Sequence, residues 1–354
     1  MYHKWFWIFL IVILLFIIIG CSNVSYLAQA VTGHFRIMSS RESIENLLKN
    51  DTLDIESINK LKLVLEVHDY ATEELGLPKN KSYTVVSEID NQYLGWNVYC
   101  TSKFSVEPKK WCFPIAGCVV YRGYFKKNKA LEYANNMKQK GFDVFIRPFN
   151  AYSTLGWYND PLLSSHLKIN SIRLAGLIIH ELAHQKVYIS GDSRFNEGFA
   201  VAVERVGVLR WLKSTGREKD IAQALKMWEL EDVKVSKILN TRTQLQDIYQ
   251  SGKTSQVMAQ KKDSLFVDLK NAICGVNCTE SYIPKMDGKD FAFNNAYLVP
   301  TDTYYSLVPI FQSILDSLDD NLSQFYEIVE ELGDLQYDER QNKLKLLYKR
   351  INCY

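Results

Sequence analysis

Residues 172–201, IRLAGLIIHELAHQKVYISGDSRFNEGFAV, constrain the chain more than any other stretch. Leu174, Leu177, Ile178, Leu182 and Ala183 recur at helical spacing and predict a buried helix. That helix carries His180, Glu181 and His184 as an H-E-x-x-H motif. Residues four apart lie one turn above each other on one helical face, so both imidazoles can face a single ion. Glu181 stands about 100° round the helix from His180, beside such an ion rather than on it. A carboxylate there can take a proton from water. A bare H-E-x-x-H also arises by chance in ordinary helices. The apolar helix around this one, and Asn196-Glu197-Gly198-Phe199-Ala200 at loop-plus-helix distance, favour the metal reading.

Catalytic zinc typically takes three protein ligands and keeps a fourth position open. A third histidine six residues after His184, preceded by a glycine, is ruled out, because those positions hold Val187 and Ser190. Ile189 to Ser193 reads as a helix stop and a new N-cap, since Gly191 tolerates the left-handed cap and Asp192 or Ser193 accepts first-turn N–H groups. A second helix running back antiparallel can aim Glu197 at the two histidines. Here the chain resembles the gluzincin metallopeptidases, thermolysin-like and membrane-alanyl-aminopeptidase-like, in which the Glu of an Asn-Glu pair is the third zinc ligand. The resemblance implies one Zn2+ on His180, His184 and Glu197, with Glu181 as general base. Two positions depart from it: Lys186 replaces an apolar residue, and Val201 stands where thermolysin-like enzymes keep an acid that supports a metal histidine. Glu204, two turns after Glu197, is the candidate for that supporting role. Its alternative is an ordinary surface carboxylate.

The N-terminus reads as a targeting segment. Lys4 precedes an unbroken apolar run from Trp5 to Ile19, shorter than the about 20 residues of a comfortable membrane span. Ile18-Ile19-Gly20-Cys21 then resembles a bacterial lipobox, which implies a signal peptide over residues 1–20 and a lipidated Cys21 opening the mature chain. A retained anchor helix is the alternative. Either way the remainder is expected outside the cytoplasm, in the bacterial envelope, with the outer membrane's periplasmic face as the expected address.

Cysteine use agrees. Besides Cys21 there are Cys100, Cys112, Cys118, Cys274, Cys278 and Cys353, an even set that suggests three disulfides among 15 possible connectivities. Cys112 and Cys118 bracket a Pro/Gly turn and favour a local bridge. Cys274 and Cys278 favour another, which leaves Cys100 with Cys353. Lys plus Arg (42) nearly balances Asp plus Glu (40), so no polyanionic partner is implied. No nucleic-acid motif and no internal repeat is present.

Residues 21–354 are expected to form one α+β region. Residues 21–80 read as helical, and 81–170 as α+β, with strands at Tyr83–Val86, Trp96–Tyr99, Val119–Tyr121, Gly123–Phe125 and Phe142–Arg147. Lys127 to Lys140 is predicted to be a helix ending at Gly141. Residues 171–215 carry the two metal-binding helices, and 216–354 a helical lobe with Tyr304 to Leu332 as one periodic run. Asn150-Ala151-Tyr152 resembles the Asn-Ala-aromatic edge strand by which thermolysin-like enzymes pair with substrate backbone; a plain core strand is the alternative. Tyr304 or Tyr305, with Tyr304 preferred, is the candidate donor to a developing oxyanion.

Across Trp111–Phe125, Ala151–Gly156, His180–Gln185 and Phe195–Glu197, the sequence resembles the bacterial family catalogued as putative aminopeptidases. The resemblance implies a peptide substrate and release of N-terminal residues. The G-x-M-E-N stretch by which alanyl-type aminopeptidases hold the substrate ammonium is missing, and Asp160 is the substitute considered. The alternatives are a zinc endopeptidase and a non-catalytic envelope lipoprotein that keeps the metal as a structural clip. Oligomeric state is left open.

Overall fold

The computed structural model describes residues 26–50, 53–89, 91–113, 117–274 and 293–351. The fold is α+β, with small sheets and a helical C-terminal region. A first helix, α1 (residues 26–39), leads into β1 (Arg41–Ser43), α2 (Ile44–Leu47) and α3 (Ile55–Glu73). The strands β2 (Val85–Ser87), β3 (Gly95–Thr101), β4 (Trp111–Phe113), β5 (Gly117–Val119) and β6 (Arg122–Tyr124) follow. Then come α4 (Lys127–Gln139), β7 (Asp143–Phe149) and β8 (Leu162–Leu163). Among the described residues no helix is long and apolar enough to cross a membrane.

The sheet that matters for the site has β3 at its centre, with β6 and β7 antiparallel on either side. Side chains alternate along a strand, so the two faces of β3 differ. Tyr124 lies opposite Trp96 in the register and touches Tyr133 of α4, which places α4 on the face shared by Trp96, Val98 and Cys100. Ala130, Ala134 and Met137 of α4 join that core. The other face presents Asn97 and Tyr99, with Arg147 and Phe145 as their β7 partners. Helix α4 stops where expected: Gly141 has φ +82°, a conformation that glycine adopts without Cβ strain.

The second core belongs to helices. Helices α5 (Ser171–Lys186) and α6 (Ser193–Ser214) pack against α3 and against α10 (Val308–Ser317), α11 (Leu322–Asp334) and α12 (Tyr337–Ile351). Phe195 and Phe199 of α6 meet Phe311 and Phe325 in a buried aromatic cluster. Long helices α7 (Glu218–Gln250) and α8 (Ser255–Cys274) form a pair beside α9 (Asn295–Tyr305).

Three expectations are corrected. The helical reading of residues 21–80 overlooked β1, whose three residues pair with β2. The run from Tyr304 to Leu332 is broken twice, near Leu307 and at residues 318–321, where Asp319 and Asp320 take positive φ. Cys112 and Cys118 are bridged across β4 and β5, but the expected Cys100–Cys353 bond is not made. Cys100 is a buried free thiol under α4, pushed up to about 12 by burial. Cys21, Cys278, Cys353 and the side chain of Cys274 lie outside the described residues.

Candidate metal centre

The pair α5–α6 is built by its caps. Asn170 caps α5, accepting from the Ile172 N–H at 2.8 Å, and Asp192 caps α6, accepting from the Phe195 N–H at 3.3 Å. Arg340 and Gln341 of α12 also donate to the buried Asp192 carboxylate. Asn196 closes the connection from both sides. Its Oδ1 accepts from the Ile189 N–H and its Nδ2 donates to the Ile189 carbonyl, each at 2.8 Å. The asparagine of the Asn-Glu pair thus locks the turn that decides where Glu197 points.

His180, His184 and Glu197 converge. Glu197 Oε2 lies 3.3 Å from His180 Nε2 and 3.4 Å from His184 Nε2, and the two Nε2 atoms are 3.2 Å apart. On its other side, His180 Nδ1 meets Glu204 Oε2 at 3.0 Å. A proton on Nδ1, donated to Glu204, leaves Nε2 as a lone-pair donor facing His184 and Glu197. Two imidazole nitrogens and a carboxylate oxygen, with possible ligand atoms all within 4.8 Å of one another, can hold a metal ion. These residues fit such an ion better than they fit each other, because neighbouring ring nitrogens gain little from mutual contact.

The electrostatics follow from burial among like and unlike charges. Burial works against ionising Glu197, but the two histidines outweigh it and hold the carboxyl at about 2. For His180, burial opposes the charge while Glu197 and Glu204 together hold it well above its usual range. A cation at Nε2 would take over that balancing role from a proton. Burial raises Glu181 above the usual carboxylate range, despite the opposing histidines.

These groups line a cavity of about 390 Å³. Its walls include Asn97 and Tyr99 of β3, Tyr26 and Ala30 of α1, Phe113 and Val119 of the bridged hairpin, and Tyr304. Of the two candidate tyrosines, Tyr304 reaches the cavity. Its ring stacks on His180 with centroids 6.3 Å apart, and the Glu197 charge, then burial, keep its hydroxyl protonated. Tyr305 is engaged with Glu231 of α7 instead.

A model of the family described as "Putative aminopeptidase" matches residues 25–344. The chain belongs to that family. No curated protein and no solved structure matches it. The matched span of this aminopeptidase-family chain holds the whole candidate centre, from the α1 wall of the cavity to Arg340 behind Asp192.

The segment Asn150-Ala151-Tyr152 is placed differently from the expectation. Strand β7 is indeed the edge of its sheet, but it ends at Phe149, and residues 150–154 continue without strand pairing. Ala151 and Tyr152 line the cavity, whereas the Asn150 amide turns back to accept from the Leu94 N–H at 2.9 Å. His166, which nothing in the sequence singles out, fixes this segment. Its Nε2 donates to the Asn150 carbonyl at 2.8 Å, and its Nδ1 accepts from the Leu163 N–H at 3.2 Å. Asp160 is not a substrate anchor. Its buried carboxylate is taken up by the Thr154 N–H and hydroxyl, the Gly156 N–H and the Ser153 hydroxyl, so it closes the loop from Ser153.

Proposed function

We propose that this chain is a zinc-dependent peptidase acting as an aminopeptidase, with His180, His184 and Glu197 as the metal ligands. The observation that carries the reading is the meeting of these three donor atoms beside Glu181 in one cavity, in a chain whose family name points to peptidases. Zinc, when bound, would supply Lewis acidity to the scissile carbonyl and make a nucleophile of water near neutral pH.

The other roles belong to side chains. Glu181 receives the proton of the attacking water and delivers it to the departing amine. Its burial suits this work, since a base whose pKa lies nearer the working pH both accepts and returns a proton readily. The Tyr304 hydroxyl, kept protonated, donates to the oxygen on which negative charge develops. Glu204 fixes the His180 tautomer. Ala151 and Tyr152 border the peptide path, and their backbone leaves the sheet edge free to pair with an extended chain.

The proposal extends to address. Cys21 is the lipidated residue and the chain is held on the envelope membrane. Two features support it: the apolar run before Cys21, and the exposure of Leu27, Val31 and Phe35 along one side of α1, at 52, 52 and 66 %. Short peptides with free and N-acetylated N-termini test the catalytic reading. The free-amine series should be hydrolysed, lost on chelation and restored by zinc. Equal rates on acetylated peptides would rule out the aminopeptidase assignment, and turnover unaffected by chelation would rule out the metal.

A further inference from the structure

Among the described residues the carboxylates lining the cavity are Glu181 and Glu197, both part of the proposed centre. Neither is free to hold a substrate ammonium, and Asp160 is spent on its own loop. The cleft-facing side of the sheet carries the opposite charge. Arg147 lies directly across from Asn97 in the β3–β7 register, and so on the same face as Asn97 and Tyr99, which line the cavity. Its side chain reaches solvent. Among the described residues its guanidinium makes no hydrogen bond or ion pair, although it lies within electrostatic reach of Tyr99, Tyr304, Tyr305 and Glu231. Glu197 acts on the same two cavity tyrosines, Tyr99 and Tyr304. Those rings thus lie within electrostatic reach of both the metal centre and the arginine.

A guanidinium whose five donors make no hydrogen bond among the described residues is matched by a carboxylate held through two parallel hydrogen bonds. We propose that Arg147 is a substrate-carboxylate anchor, and that the preferred substrates are short peptides whose carboxylate binds it while the scissile bond lies at the metal centre. A peptide carboxylate has two sources, the C-terminus and an acidic side chain. The free C-terminus is the expected one, because Arg147 lies on the same sheet face as Asn97 but outside the cavity lining, where the far end of a short peptide would emerge. The proposal rests on the peptidase reading for its catalytic meaning, but the binding site can be tested without catalysis.

Binding of a tripeptide acid, its C-terminal amide and a tripeptide amide ending in glutamate should be measured by calorimetry. The titrations use the full chain after chelation, where hydrolysis does not interfere. Wild type should bind the acid about tenfold or more tightly than the plain amide, a charge-assisted pair being the difference. Arg147→Ala should weaken the acid to the level of the amide and leave the amide unchanged. Arg147→Lys should fall between them, and its unchanged melting temperature would show that the fold survives. Tight binding of the glutamate amide would assign the site to an acidic side chain, and weak binding would assign it to the C-terminus. Equal affinity for acid and plain amide in wild type, or a preference that survives Arg147→Ala, overturns the proposal. Zinc-loaded turnover is then a separate readout. A carboxylate preference without hydrolysis would fail the peptidase reading alone, and hydrolysis without the preference would fail the anchor alone.

Discussion

Glu204 decides which nitrogen of His180 is free. Its carboxylate sits 3.0 Å from Nδ1, and Gly176 on the facing helix leaves the room it needs, since a Cβ there would meet Glu204 Oε1 at 2.8 Å. Carboxylates of this kind are typically worth about 10–100-fold in metal affinity. Glu204→Gln should therefore weaken zinc binding within that range while keeping the fold, and Gly176→Ala should shift affinity in the same direction by displacing the carboxylate. Competition with a chromophoric chelator measures both, and unchanged affinity in Glu204→Gln would remove it from the centre. At this scale the sequence was most legible. The two histidines can be read because i,i+4 spacing brings them to one helical face, and Glu181 and the Asn-Glu pair because they stand at fixed distances in sequence from that face. Glu204 is readable as a helical-face position, but its partner is not, because that needs the crossing of α5 and α6. Arg147 could not be singled out without the strand register that sets it opposite Asn97.

The break between α5 and α6 was legible because its signals are local: Gly191 and Asp192 act on backbone within a few residues, whereas the Asn170 cap of α5 was not singled out. Segments held by distant partners were not. Strand β1 has three residues and exists through pairing with β2, and the stretch after β7 is shaped by His166. That histidine gives a test of the segment. Burial pushes it down to about 4, against its ordinary 6.5, and the bond to Asn150 only partly offsets this. The folded chain thus keeps His166 neutral where the unfolded chain would protonate it. Stability present above pH 6.5 should be lost as pH falls toward 4, by up to ~3 kcal/mol from this group. Urea midpoints at pH 7 and pH 4.5 should fall more steeply for wild type than for His166→Gln. Equal pH dependence in the two proteins would show that His166 is not the group responsible.

On the scale of the whole molecule, the cavity lies where the two cores meet. The β3–β6–β7 sheet supplies one wall, the α5–α6 pair supplies the ligands, and α1 closes a side with Tyr26 and Ala30. The fold class was legible from the change of texture along the chain, whereas this meeting of distant segments was not, because nothing in local spacing specifies it. Helix α1 begins a few residues after Cys21, so the proposed anchor would hold a wall of the cavity close to the membrane. Cys21→Ser should abolish labelling by a fatty-acid analogue and release the chain from membranes. Equal labelling in the variant would end the lipid-anchor proposal.

Zinc content and peptide turnover in Glu197→Ala and Glu181→Gln separate holding the ion, proposed for Glu197, from moving the proton, proposed for Glu181. Glu197→Ala should lose both metal and activity. Glu181→Gln should keep stoichiometric zinc while its rate falls by about 10²–10⁴-fold. Full zinc and full activity in Glu197→Ala would place the third ligand elsewhere, and wild-type turnover in Glu181→Gln would remove Glu181 as the base.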